Sequence, residues 1–119
     1  MNEKRVVITG LGAITPIGKN IEETWNGIKE KKCGIDKISL FNAENFKTLF
    51  DAEVKEYDPL KYFDTKQAKR LDRSSQFAII AAKEAFKDSM ITSKNTNLER
   101  VGVFVSSGIG GLITIQKQA

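Results

Sequence analysis

The sequence predicts an α/β protein, and three observations carry that prediction. Two short apolar runs, RVVITGLG at residues 5–12 and RVGVFVSS at residues 100–107, are rich in β-branched residues. Apolar residues fall on both faces of each run, as in a buried strand of a parallel sheet. Residues 77–82, FAIIAA, are six successive apolar positions inside a helical pattern. The resulting order is strand, helix, weak strand, helix, strand and helix start, which favours parallel pairing through crossover helices.

Each element has a local reason. After the first strand a loop, AITPIGK, leads to a helix with Asn20 as N-cap and Glu23 at the third helical position, a variant of the capping box. Ile21, Trp25 and Ile28 follow at helical spacing, and Cys33 with Gly34 closes the helix. Residues 35–45 are irregular. Residues 50–57, FDAEVKEY, alternate weakly and predict a strand. Asp58 and Pro59 mark a turn or helix start. Residues 65–72 are polar and basic and predict one or two helical turns. Ser74 or Ser75 caps the next helix, which runs to about Met90. Successive helical residues point about 100° apart, so residues 77–82 face every direction and require burial all round. Residues 93–99 form a polar loop, the strand at 100–107 breaks at Gly108, and a last helix begins near Leu112. That helix stops without a C-cap, and its buried neighbour needs covering layers, so the natural chain is expected to continue past Ala119.

Composition narrows the function. The chain has 119 residues, enough for one small domain. With 40% hydrophobic and 29% charged residues it is globular rather than disordered. No apolar run approaches the roughly 18–20 residues that span a bilayer. The N-terminus passes at once into the strand pattern, with no basic-then-apolar leader, so a cytoplasmic protein is expected. One cysteine, Cys33, excludes an internal disulfide and agrees with a reducing compartment. There is no histidine, which excludes Ser-His-Asp and Cys-His catalysis within these residues and leaves no zinc ligand set. No metal is expected. The net charge of +4 permits an acidic partner. The basic residues are local and lack aromatic interleaving, so nucleic acid is not expected.

Four motifs carry candidate chemistry. Gly10 and Gly12 after a strand invite a dinucleotide reading, but Thr15 stands where the third glycine belongs and the helix begins only near Ile21. The plain alternative is a tight strand-to-loop turn. Ser106 and Ser107 before Gly108, Ile109, Gly110 and Gly111 resemble a nucleophile elbow, but the glycine spacing is wrong and no histidine activates a serine. That loop is either a flexible connection or a backbone that lets a ligand approach, with Ile109 as an apolar wall. Cys33 lies at a helix C-terminus, which disfavours a thiolate. Lys61, Lys66, Lys69, Arg70 and Arg73 outnumber Asp64 and Asp72 in one short stretch. Lys66, Lys69 and Arg70 at i, i+3, i+4 share a helical face. That face is either solvated or a dock for an acidic protein or a phosphate.

Three of these segments together resemble the elongating condensing enzymes of fatty-acid synthesis, the beta-ketoacyl-acyl-carrier-protein synthases. VVITGLGAITPIG is similar to their first strand and loop, and KRLDRSSQFAIIAAKEAF to their basic turn and buried helix. SSGIGG is similar to their glycine-rich loop, with Ser106 in place of a glycine. The likeness runs from about Arg5 to the end. It implies a thiolase-like αβαβα sandwich of which residues 1–119 are part of the N-terminal half, in a homodimer. It implies decarboxylative Claisen condensation by a cysteine thiolate and two histidines, all later in the family's chain, so these residues hold no catalytic group. Cys33 matches no catalytic position of the family. The resemblance implies that Lys66, Lys69 and Arg70 dock acyl-carrier protein, whose phosphopantetheine arrives with the substrate, so no resident cofactor is expected. It places Gly108, Ile109 and Gly110 in a loop lining the acyl pocket. A non-condensing partner of the chain-length-factor kind, a polyketide ketosynthase and a free-standing carrier-binding module are the alternatives.

Overall fold

A computed structural model describes residues 3–119. Local signals placed the helices well. Helix α1 spans Ile21–Lys29. The Asn20 side chain accepts from Glu23 N at 2.8 Å, and Glu23 reaches back one residue past the cap, where its Oε2 accepts from Lys19 N at 2.8 Å, a variant of the reciprocal cap. Its end differs from expectation. α1 stops at Lys29, and the left-handed residue is Lys31 (φ 55°), not Gly34. A two-stranded antiparallel ladder follows, β1 at Asp36–Lys37 and β2 at Phe50–Asp51, so only the first two residues of the expected strand at 50–57 pair. Glu53, 7% exposed, ties this region together by accepting from Ser39 N, Ser39 Oγ and Leu40 N. The Ser39 hydroxyl and these amides hold its carboxyl below the usual range.

Asp58 caps a 3₁₀ turn at Pro59–Lys61, and helix α2 occupies Thr65–Arg70. Helix α3, at Arg73–Asp88, is the longest element among the described residues. Its N-cap is Asp72, two or three residues earlier than the serines suggested. Asp72 Oδ1 accepts from Ser74 N at 2.9 Å and Ser75 N at 3.1 Å, and both serine hydroxyls donate back to the same carboxylate. Helix α4 covers Leu112–Gln118.

The two long apolar runs correct the prediction. Residues 5–9 and 101–107 are extended but join no ladder, and the described residues contain no parallel pair. Val6, Ile8, Val103 and Phe104 are 93%, 81%, 82% and 97% exposed. A strand becomes a strand only by pairing, and these two do not pair with each other. Nor is α3 buried all round: Gln76 and Ile80 are buried, Phe77, Ala78 and Ile79 half-buried, and Ala82 exposed. On α1 the inward positions are Thr24 and Gly27, whereas Trp25 and Ile28 lie more than half exposed. Large surface is the general consequence. The accessible area is 10454 Å², against about 6,500 Å² for a self-contained protein of 13.3 kDa. The radius of gyration is 17.6 Å, against about 13.5 Å for a compact chain of this length.

What does pack is the segment at 10–13 against α3. Leu11 N donates to Asp88 Oδ2 and Ala13 N to Glu84 Oε2, both at 2.9 Å. The second Glu84 oxygen accepts from Ile21 N at 2.9 Å, fastening the start of α1 to the same helix. Neither glycine here serves a tight turn. A Cβ on Gly10 would meet Ala85 O at 2.2 Å, and one on Gly12 would meet Ala81 O at 2.0 Å. Both positions stay glycine-sized because backbone lies directly on backbone.

Candidate functional site

The basic helix is built from its two ends. Asp64 Oδ1 accepts from Gln67 N at 2.8 Å and caps the start of α2. Before it, the 3₁₀ turn is sealed by Asp58 Oδ1 accepting from Leu60 N, and by Phe63, 7% exposed. At the other end Leu71 N donates to Gln67 O. The carbonyls of Ala68 and Leu71 both accept from Gln76 Nε2, at 3.0 and 2.8 Å.

Between these anchors Lys66, Lys69 and Arg70 are all exposed on α2, as their spacing predicted. Among the described residues the ion pairs are Lys19 with Glu56 and Lys55 with Asp36, so none involves these three. Asp64 and Asp72, the acids of the same stretch, form no ion pair with them and serve as helix caps. Asp72 shows this in its acidity: hydrogen bonds from Ser74 and Ser75 lower its pKa to about 2. The cap is therefore fully formed above the ordinary carboxylate value of 3.8 and is lost as pH falls through about 2. Replacing Asp72 by Ala is expected to cost the full-length protein about 1 kcal/mol. That loss, measured by denaturant unfolding at neutral pH, should fade towards pH 2, where the wild-type cap is itself protonated.

Arg73 departs from the basic patch. Its guanidinium donates to Val54 O and lies 5.1 Å from the Tyr57 ring centroid and 4.8 Å from that of Phe77. It is a packing cation rather than a presented one. The Tyr57 hydroxyl donates to Gln76 Oε1 at 2.7 Å, and burial pushes its phenol above the usual pKa. Sequence reasoning missed Tyr57 and Gln76. The available signal was Gln76 itself, a polar residue directly ahead of the apolar run on the inward face of α3.

The glycine-rich loop lies on the other side of the first turn of α3. Gly110 has φ +77°, and its N–H donates to Ser107 Oγ at 3.0 Å. A Cβ on Gly111 would meet Asp72 Cγ at 2.9 Å, whereas Gly108 and Gly110 have nothing within 4 Å. A cleft of about 300 Å³ opens between loop and helix, lined by Arg73, Phe77, Leu112 and Ile113 among others. Ile109 stands 73% exposed. Asp72 thus touches the loop while capping the helix next to α2. Cys33 is exposed, far in sequence from either feature. Among the described residues no three of His, Cys, Asp and Glu are grouped to hold a metal, and no helix is long and apolar enough to cross a membrane.

The beta-ketoacyl synthase N-terminal domain matches residues 3–119, and the chain belongs to that family. Its curated relatives include the 3-oxoacyl-[acyl-carrier-protein] synthase 2 of Synechocystis sp., 41% identical over 99% of this chain and 28% of the relative. The proteins of that name from Staphylococcus aureus (41% over 95% of this chain) and Coxiella burnetii (40% over 98%) are similar to the same degree. The chain therefore spans a little over a quarter of the length of these relatives. Among solved structures, the ishigamide ketosynthase/chain length factor superposes with a TM-score of 0.64 at 29% identity, covering 79% of this chain and 23% of that one. The fold is that of a ketosynthase, helices with extended segments.

Proposed function

We propose that these residues are the N-terminal part of an acyltransferase of fatty-acid elongation, which condenses an enzyme-bound acyl chain with malonyl-acyl-carrier protein by decarboxylative Claisen chemistry. The observation that supports this best is the 41% identity, across 99% of the chain, to a relative named 3-oxoacyl-[acyl-carrier-protein] synthase 2. In this reading residues 1–119 form part of the N-terminal half of a thiolase-like αβαβα sandwich, and the full-length protein works as a cytoplasmic homodimer. The exposed runs at 5–9 and 101–107 are then strands awaiting sheet partners.

The roles of the present residues are preparatory. Lys66, Lys69 and Arg70 receive the acidic carrier protein, and long-range attraction steers it before close contact forms. The phosphopantetheine arm comes with the carrier. The Gly108 and Gly110 backbone is free to move around acyl chains of different length, with Ile109 against the chain. The bond-making groups, a thiolate and two histidines, have no counterpart here, since the chain has no histidine and Cys33 is not placed to serve.

A chain-length-factor-like protein without condensing activity is the second reading, favoured by the structural likeness to a ketosynthase/chain length factor. Carbon dioxide release from malonyl-carrier protein in the presence of acyl-carrier protein separates the two. The full-length protein is expected to turn over, and its Cys33→Ala variant to do so equally well. The 119-residue chain alone is expected to show none. A full-length protein that binds both carriers but releases no carbon dioxide overturns the condensing reading.

A further inference from the structure

We propose that Gln76 is a positioning residue for carrier-protein docking: its side-chain amide fixes the C-terminal turn of α2, and with it the direction in which Lys69 and Arg70 are presented. This rests on the reading of α2 as the docking helix. Gln76 is 5% exposed, deep for a polar side chain. Its Nε2 donates to Ala68 O at 3.0 Å and to Leu71 O at 2.8 Å, the two carbonyls that flank Lys69 and Arg70. Its Oε1 accepts from the Tyr57 hydroxyl at 2.7 Å. Two carbonyls accept and cannot donate, so the amide has one possible orientation, and Tyr57 holds the end that must accept.

The need for such an anchor follows from the length of α2. A six-residue helix is not stable by its own hydrogen bonds. Its last carbonyls lack helical partners, and the glycine that commonly closes a helix is absent: the C-cap is Leu71 in an extended conformation. Gln76 supplies the donors instead, from the first full turn of α3. The orientation of the exposed cations is thereby set by a buried group that never meets the carrier. Arg73 lies against both rings of the edge-to-face pair Tyr57 and Phe77, and so helps to hold Tyr57 at the amide.

The test uses the full-length synthase carrying this segment. Gln76→Glu has nearly the same shape and keeps an acceptor for Tyr57, but it sets a carboxylate oxygen against two carbonyls. It is expected to raise KM for carrier-bound substrate about fivefold, the factor that one net hydrogen bond is worth, with kcat retained. Kinetics with a small acyl-thioester mimic should be unchanged. Hydrogen exchange at the amides of residues 68–71 should accelerate. Tyr57→Phe, which keeps the ring and loses only the hydroxyl, is expected to move both readouts in the same direction by less; it carries the test if Gln76→Glu does not fold. Faster exchange with an unchanged KM overturns the proposal, as does an equal loss with carrier-bound and small substrates. If charge reversal at Lys66, Lys69 and Arg70 also leaves KM unchanged, the docking reading itself has failed. If that reversal raises KM while neither Gln76→Glu nor Tyr57→Phe does, only the role of Gln76 has failed.

Discussion

Purified alone, the 119-residue chain is expected to leave a sizing column as associates far above 13.3 kDa and to melt without one sharp transition. The reason is area. It exposes about 4,000 Å² more than a self-contained protein of its mass. The largest apolar patch on a typical monomer is only about 300–600 Å². Val6, Ile8, Val103 and Phe104 contribute side chains more than four-fifths exposed, on extended backbone with unpaired amides. Unpaired extended segments recruit copies of themselves. Light scattering and calorimetry decide the matter. A monomer with a two-state transition would show that the exposed runs find partners within these residues.

If α2 docks the carrier as proposed, reversing Lys66, Lys69 and Arg70 together to Glu in the full-length protein is expected to raise KM for carrier-bound substrates tenfold to a hundredfold. The expected range follows from about 0.5–1 kcal/mol for each exposed cation. A small thioester mimic should be spared, because it makes no use of long-range attraction. The difference between wild type and variant should shrink as the screening length falls from about 10 Å at 0.1 M salt to about 3 Å at 1 M. Should the mimic suffer equally, or the difference ignore salt, α2 is a solvated face and nothing more.

Features decided by near neighbours were legible in the sequence. Asn20 and Glu23 cap α1 as read, and Lys66, Lys69 and Arg70 share an exposed face as their spacing requires. The cap of α3 was misplaced by two or three residues because Asp72, Ser74 and Ser75 can each fill that role. Features decided by distant partners were not legible. Trp25 and Ile28 are the apolar residues of α1, yet the helix turns Thr24 and Gly27 inward. It does so because residues 15–18 lie against it: Thr24 Oγ1 is 3.1 Å from Thr15 Oγ1, and a Cβ on Gly27 would meet Ile17 O at 3.0 Å. The runs at 5–9 and 101–107 have strand composition, but composition does not provide the neighbour that completes a ladder. For the candidate docking site, the cations were visible as charge. The Gln76 anchor was hidden, since no local pattern says which carbonyls a glutamine will reach.

The contact of Gly10 and Gly12 with α3 works as a ruler. Moving two residues along an extended chain advances about 6.6 Å, and moving four along a helix advances about 6 Å. The two repeats nearly match, and so Gly10 meets Ala85 and Ser89 while Gly12 meets Ala81 and Ala85. The directions are antiparallel, so each step forward in the segment is a step back along the helix. Between the glycines stands Leu11, whose side chain faces the opposite way in an extended chain. Sliding the segment by one position would drive Leu11 into the backbone of α3. Sliding it by two would bring Ile8 or Ile14 into a glycine seat, where a Cβ meets the backbone of α3 at 2.0–2.2 Å. The segment therefore has one seat on the helix, and the start of α1, fastened to the second oxygen of Glu84, is indexed to that seat.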